Sequence, residues 1–177
     1  MPLPFHTVGH STRSLEQLIE LLEAAQIGWL ADIRTVPASR TNPQFNREPL
    51  AAALAARAIG YEHIAALGGL RGRSKTVPPA VNAYWTNDSF HHYADYALSP
   101  GFRSALDALV ERGHRQRCAL MCAEAVWWRC HRRIVADHLL ARGEAVFHLM
   151  APGRTDPARL TPGAVVQPDR SVVYPAR

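Results

Sequence analysis

The apolar positions switch between two periods along the chain. Phe5 to Gly9 (FHTVG) has the length and content of a first strand. Leu15, Leu18, Ile19, Leu22 and Ala25 then fall on one helical face, which ends before Gly28. Ser14 is placed as its N-cap, and Gln17 can complete a capping box with it. Trp29 to Ile33 reads as a second strand. Strand, helix and strand within about thirty residues form a βαβ unit and imply a parallel sheet. An alanine-rich helix from Glu48 to Ile59, stopped at Gly60, leads to a third strand, Tyr61 to Ala65. Pro78 to Leu98 reads as a short helix or lid. Pro100 to Arg112 is a further helix that passes through Gly113 into a buried strand, Arg117 to Cys122. From Val126 to Leu140 the spacing is helical again. Val126, Cys130, Ile134, Val135 and Leu139 recur on one face, with Arg129, Arg132 and Arg133 between them. Gly143 stops this helix and Ala145 to Met150 is the last strand expected.

With no internal repeat and no linker, residues 1–177 read as one three-layer α/β domain with a central, mostly parallel sheet flanked by helices. Residues 151–177 carry five prolines and read as a loosely structured arm with one short helix near Pro157 to Leu160.

If the sheet is parallel, four loops end on its carboxyl edge, where ligands bind in open α/β sheets. They carry His10, Ser11, Thr12 and Arg13 after the first strand, and Arg34, Ser39 and Arg40 after the second. The Gly68, Gly69 and Arg71 loop follows the third strand, and Cys122 with Glu124 follows the fourth. The loop from Leu67 to Lys75 is glycine-rich and basic, but it lacks the GxxxxGK[ST] spacing of a P-loop. Adjacent His91 and His92 diverge by about 100° on a helix and chelate poorly together.

Composition narrows the function classes. No run is long and apolar enough for a membrane span, and the first residues lack a charged start followed by an apolar stretch. Three cysteines, an odd number, then point to a reducing cytoplasm and free thiols. The formal net charge of +5 is uneven: Arg112 to Arg133 contains six arginines and one acid, Glu124. Such a run attracts an anionic small molecule, a nucleotide or nucleic acid, and no membrane partner is expected.

The chemistry concentrates in one stretch, Leu120 to Asp137, where Cys122, Glu124, Cys130 and His131 lie close together with arginines. A cysteine where a strand ends and a helix begins, with cations nearby, has the setting of a lowered thiol pKa. Three readings follow. In the favoured one the chain is a thiol-dependent enzyme acting on a phosphorylated or nucleotide-like substrate. Cys122 or Cys130 is the nucleophile, His10 or His131 the base, Glu124 an acid or orienting group, and Arg13, Arg34 and Arg40 an anion clamp. The CxxxxxR spacing of phosphatases is absent, because the sixth position after Cys122 is Trp128. In the second, Trp127 and Trp128 stack on bases in a non-catalytic nucleotide or nucleic-acid binding module. In the third, a metal site built from Cys122, Glu124, Cys130, His131 or His10, with Cys122, Cys130 and His131 as the leading candidates, holds zinc or iron, although the cysteine spacing is not that of paired CxxC sites.

The chain resembles the bacterial and archaeal family catalogued as domain of unknown function 488, from about Val8 to Met150. The resemblance is carried by VGHSTR (Val8 to Arg13), ADIRTVPASR (Ala31 to Arg40) with Phe45 and Asn46, Tyr61, LGG (Leu67 to Gly69), WTNDSFHHYADYA (Trp85 to Ala97), MCAEAVWWRCHRRIVAD (Met121 to Asp137) and VFHL (Val146 to Leu149). The family often has Arg-Gly where this chain has His91-His92. The resemblance implies an α/β fold and no particular reaction.

Overall fold

A computed structural model describes residues 2–177. The described residues form a six-stranded sheet ordered β3-β2-β4-β1-β5-β6, parallel except for β6. The strands are β1 (Phe5–Gly9), β2 (Trp29–Asp32), β3 (Gly60–His63), β4 (Cys118–Cys122), β5 (Val146–Ala151) and β6 (Arg154–Pro157). Five helices accompany them: α1 (Leu15–Ala24), α2 (Arg47–Ala55), α3 (Asp88–Tyr96), α4 (Pro100–Arg115) and α5 (Arg132–Ala141). None is long and apolar enough to cross a membrane.

The layers follow from side-chain alternation along the strands. Val8, Leu30, Ala119 and Met121 face one way and pack on Leu18, Leu22, Leu50 and Leu54 of α1 and α2. Phe5, Trp29, Ala31, Cys118 and Leu120 face the other way, against α3, α4 and α5. The predicted three-layer α/β architecture is therefore present. β1 and β2 are parallel as the βαβ pattern required, but β4 lies between them. The chain leaving β1 and β2 goes to helices on one face, whereas the chain leaving β4 goes to α5 on the other. A crevice opens at such a switch point.

Local signals hold where they are local. The Ser14–Gln17 capping box is formed, with Gln17 N–H donating to Ser14 Oγ at 3.0 Å and Ser14 N–H to Gln17 Oε1 at 2.8 Å. Three expectations are corrected. First, α2 ends at Ala55, not Ile59, because Ala58 adopts φ 57° and turns the chain so that Ile59 enters the core; Gly60 begins β3 and is not the stop. Second, the helix expected from Val126 starts only at Arg132. Val126 and Cys130 are extended, and Trp127–Arg129 form one 3-10 turn. Third, the arm beyond Ala151 is ordered and contains no helix. β6 pairs with β5 across a turn at Gly153 (φ 75°), and β7 (Val165–Val166) and β8 (Val172–Val173) form a hairpin. Fully buried Tyr174 then donates its hydroxyl to Asp137 Oδ2 at 2.6 Å, and its N–H to Asn82 Oδ1 at 2.9 Å.

Candidate functional site

β4 ends at the centre of the sheet, and register places its last residue beside the end of β1: Cys122 is opposite Gly9, and Leu120 opposite Thr7. On the far side of β1, Thr7 is opposite His148 of β5. Alternation turns Thr7, Gly9 and Cys122 to the α5 face. The first turn of α5 lowers the Arg132 side chain onto this row. Arg132 is fully buried. Its Nη1 donates to Cys122 Sγ at 2.8 Å and to the Glu124 carbonyl at 2.5 Å; its Nη2 donates to the Ala125 carbonyl at 3.1 Å and its Nε to Thr7 Oγ1 at 3.1 Å. Thr7 in turn donates its hydroxyl to His148 Nδ1 at 2.6 Å, and the His148 ring stacks on Trp127 at 4.7 Å. Burial first, then the Arg132 charge, push His148 down to about 3, so the ring stays neutral and can accept.

These bonds explain the delayed helix. The Glu124 and Ala125 carbonyls are turned toward the guanidinium and cannot begin an i to i+4 ladder. The position of Gly9 has a cause here as well. A Cβ on Gly9 would overlap the Glu124 carbonyl and crowd Arg132 Nη1.

The electrostatics separate the two cysteines. Burial pushes Cys122 up, but a hydrogen bond from Cys130 and the charge and hydrogen bond of Arg132 more than offset it, leaving the thiol below its ordinary value. Cys130 is driven well above it by burial and by Cys122. Cys130, not Cys122, occupies the helix start: the Arg132 N–H donates to its Sγ at 3.4 Å. His131 Nε2 donates to the Ile33 carbonyl at 2.9 Å, so its Nδ1 lone pair faces Cys130 Sγ at 3.5 Å. Burial, the largest cause, lowers His131 to about 4. Gly69 lies so close to this ring that a Cβ would overlap Nδ1. The third thiol, Cys118, is raised to about 12 by burial and lies at the other end of β4.

A cleft of about 430 Å³ opens above this row. Of the residues expected from sequence, it brings together Arg34, Gly69, Cys122, Glu124, Cys130 and His131. Arg34 is held bidentately by buried Asp32 at 2.9 and 2.7 Å. The Glu124 carboxylate is exposed, and it is its carbonyl that touches the cysteine and Arg132. His10 is buried beneath the cleft and stacked on Phe45. Its Nδ1 donates to the Ser11 carbonyl and its Nε2 faces Arg34 Nη1 at 3.5 Å, so neither nitrogen is bonded to a cysteine. Burial lowers its pKa.

The remaining expected residues do not line the cleft. Arg13 donates to the Gly9 and Met150 carbonyls. Ser39 caps the Asn42 N–H, and Arg40 is exposed. Arg71 folds back on the Gly68 and Ala65 carbonyls and over the Tyr96 ring. Gly68 and Leu70 N–H groups are taken by Ala65 O and Thr35 Oγ1, so this loop does not offer them to a phosphate. Ser11 and Thr12 lie in the turn after β1, outside the cleft lining. The arginine run is divided: Arg112 pairs with Glu62 before β4 begins, whereas Arg129 and Arg132 lie beyond its other end. Trp127 is stacked internally and Trp128 is 44% exposed.

Four contributors were not singled out from sequence: Arg132, Thr7, Gly9 and Arg129. Arg129 lines the cleft, and among the described residues its guanidinium has no hydrogen bond or ion pair. Only Gly9, a glycine closing a strand, carries a sequence signal of close approach. Among the described residues, no three His, Cys, Asp or Glu side chains converge to hold a metal.

The family model described as Domain of unknown function DUF488 matches residues 14–139, more than half of the chain, and the chain belongs to that family. No curated protein and no solved structure matches it.

Proposed function

We propose that this member of the DUF488 family is a thiol-dependent enzyme in which Cys122 is the nucleophile and Arg132 holds it as a thiolate. One observation carries this reading. Arg132 is fully buried, makes no ion pair with any carboxylate among the described residues, and has Nη1 2.8 Å from Cys122 Sγ. An uncompensated buried charge costs several kcal/mol. A thiolate supplies the missing countercharge, and the bond becomes charge-assisted. Thr7, the Glu124 carbonyl and the Ala125 carbonyl fix the fork of the guanidinium, so the sulfur meets a pre-oriented donor.

The substrate follows from the cleft. Leu70 and Phe90 supply apolar wall, Asn87 and Ser89 polar wall, and Arg129 a cation. With Arg34 already matched by Asp32, this suits a small electrophile with one anionic group better than a polyphosphate. The protein works in a reducing compartment, where its thiols persist.

The test is alkylation of each cysteine against pH, read by mass spectrometry with and without a chelator. Cys122 is expected to label with an apparent pKa below the free value of about 8.5, and Cys118 to stay inert. A Cys122 that labels only after unfolding overturns the reading. Labelling that appears only after chelation replaces it with a metal-bound thiolate.

A further inference from the structure

We propose that Cys122 and Cys130 form a dithiol–disulfide couple that reduces small organic hydroperoxides. This rests on the thiolate reading above and names its substrate class. Both sulfurs line one cleft, and one residue touches both: Arg132 through Nη1 to Cys122 Sγ at 2.8 Å, and through its backbone N–H to Cys130 Sγ at 3.4 Å. Cys118 shares none of these contacts.

The partners divide the work. Cys122 has the guanidinium and is the sulfur that attacks. Cys130 has His131 Nδ1 at 3.5 Å, a neutral acceptor that orients its S–H, and is the sulfur that resolves. Burial selects the oxidant. Cys122 is 2% exposed and Cys130 6%, so a polypeptide disulfide cannot align with either. A peroxide bond presents only two oxygen atoms to the sulfur. The Leu70 and Phe90 wall accommodates its organic part, and Arg129 an acidic end.

The chemistry balances. The Cys122 thiolate attacks the terminal peroxide oxygen, the S–O bond forms, the O–O bond breaks, and the leaving alkoxide takes a solvent proton to depart as an alcohol. Cys130 then attacks the sulfenic sulfur and gives up its thiol proton. The S–S bond forms, the S–O bond breaks, and hydroxide leaves with that proton as water. The hydroperoxide gains two electrons and the two thiols lose them. A small dithiol returns them, oxidised in turn to its disulfide.

The experiment treats the full chain with one equivalent of tert-butyl hydroperoxide and follows intact mass and peptide maps. The expected product has lost two hydrogens, carries a Cys122–Cys130 crosslink, and is restored by dithiothreitol. Oxidation should outpace that of free cysteine at the same pH by about tenfold or more. Cys130→Ser should stop at one added oxygen on Cys122, trapped by dimedone. If Cys122 alkylates with a lowered pKa but the wild-type chain gives no such crosslink, the couple is refuted and the thiolate stands. If Cys122 does not alkylate at all, both fall.

Discussion

Replacing Arg132 by methionine removes the charge while keeping most of the side-chain volume. The wild-type guanidinium donates to Cys122 Sγ at 2.8 Å inside the protein. A hydrogen bond to a charged group contributes about 1.5–3 kcal/mol. At 1.36 kcal/mol per unit, its loss raises the Cys122 pKa by about 1–2 units. Burial, which opposes the thiolate, stays in place, so the thiol should move from about 7 to about 8–9, around the free value of about 8.5. The alkylation rate near neutral pH follows the thiolate fraction and should fall by about 10- to 100-fold, while the plateau at high pH changes little. The variant also strips a donor from Thr7 and from two carbonyls, at about 1–3 kcal/mol for each group left without a partner. The profiles should therefore be recorded where circular dichroism shows the fold intact. Superimposable wild-type and Arg132→Met profiles would falsify the assignment of Arg132 as the thiolate's counterion.

Gly9→Ala should act on the same pair from outside it. Its Cβ overlaps the Glu124 carbonyl and displaces Arg132, so the Cys122 alkylation profile should move toward that of Arg132→Met, and an unchanged profile would show that the close approach is dispensable. Acid should destabilise the fold. His131 at about 4 and His148 at about 3 are depressed below their unfolded values, so their contribution is complete above about pH 6.5 and is lost as pH falls through the folded values. Each unit is about 1.4 kcal/mol, which makes the loss a few kcal/mol per ring by the acid end; a flat urea midpoint from pH 7 to 4 would contradict it. Tyr174→Phe leaves buried Asp137 without its 2.6 Å donor and should cost about 1–3 kcal/mol in urea unfolding, with no change in Cys122 alkylation.

What the sequence made legible is what short-range physics decides. The Ser14–Gln17 box, the apolar strands ending at Gly9 and Cys122, and the glycine stop at Gly143 (φ 84°) are read from neighbours and are all present. The grouping of Cys122, Glu124, Cys130 and His131 around one cleft was also legible, because a parallel sheet gathers the ends of its strands. The role of Arg132 was not. In sequence it is one of several arginines in an amphipathic pattern, and a charge there usually points to solvent. Its burial depends on Gly9 and Thr7 lying opposite the β4 residues that register selects. The arm failed for a similar reason. Five prolines suggest loose chain, but Pro157 closes an edge strand, where a missing N–H costs nothing, and Tyr174 is held by Asp137 and Asn82 far away in sequence.

The pairing of β1 with β4 joins Phe5 to Cys118 and Gly9 to Cys122 across most of the chain. Contacts of such separation form slowly, after local helices and turns. Until β1 docks, Cys122 has no glycine notch beside it, Thr7 is not there to receive Arg132, and the sulfur behaves as any solvent-facing thiol. Reactivity thus depends on the β1–β4 pairing. The onset of fast Cys122 labelling during refolding would therefore time the closure of that pairing.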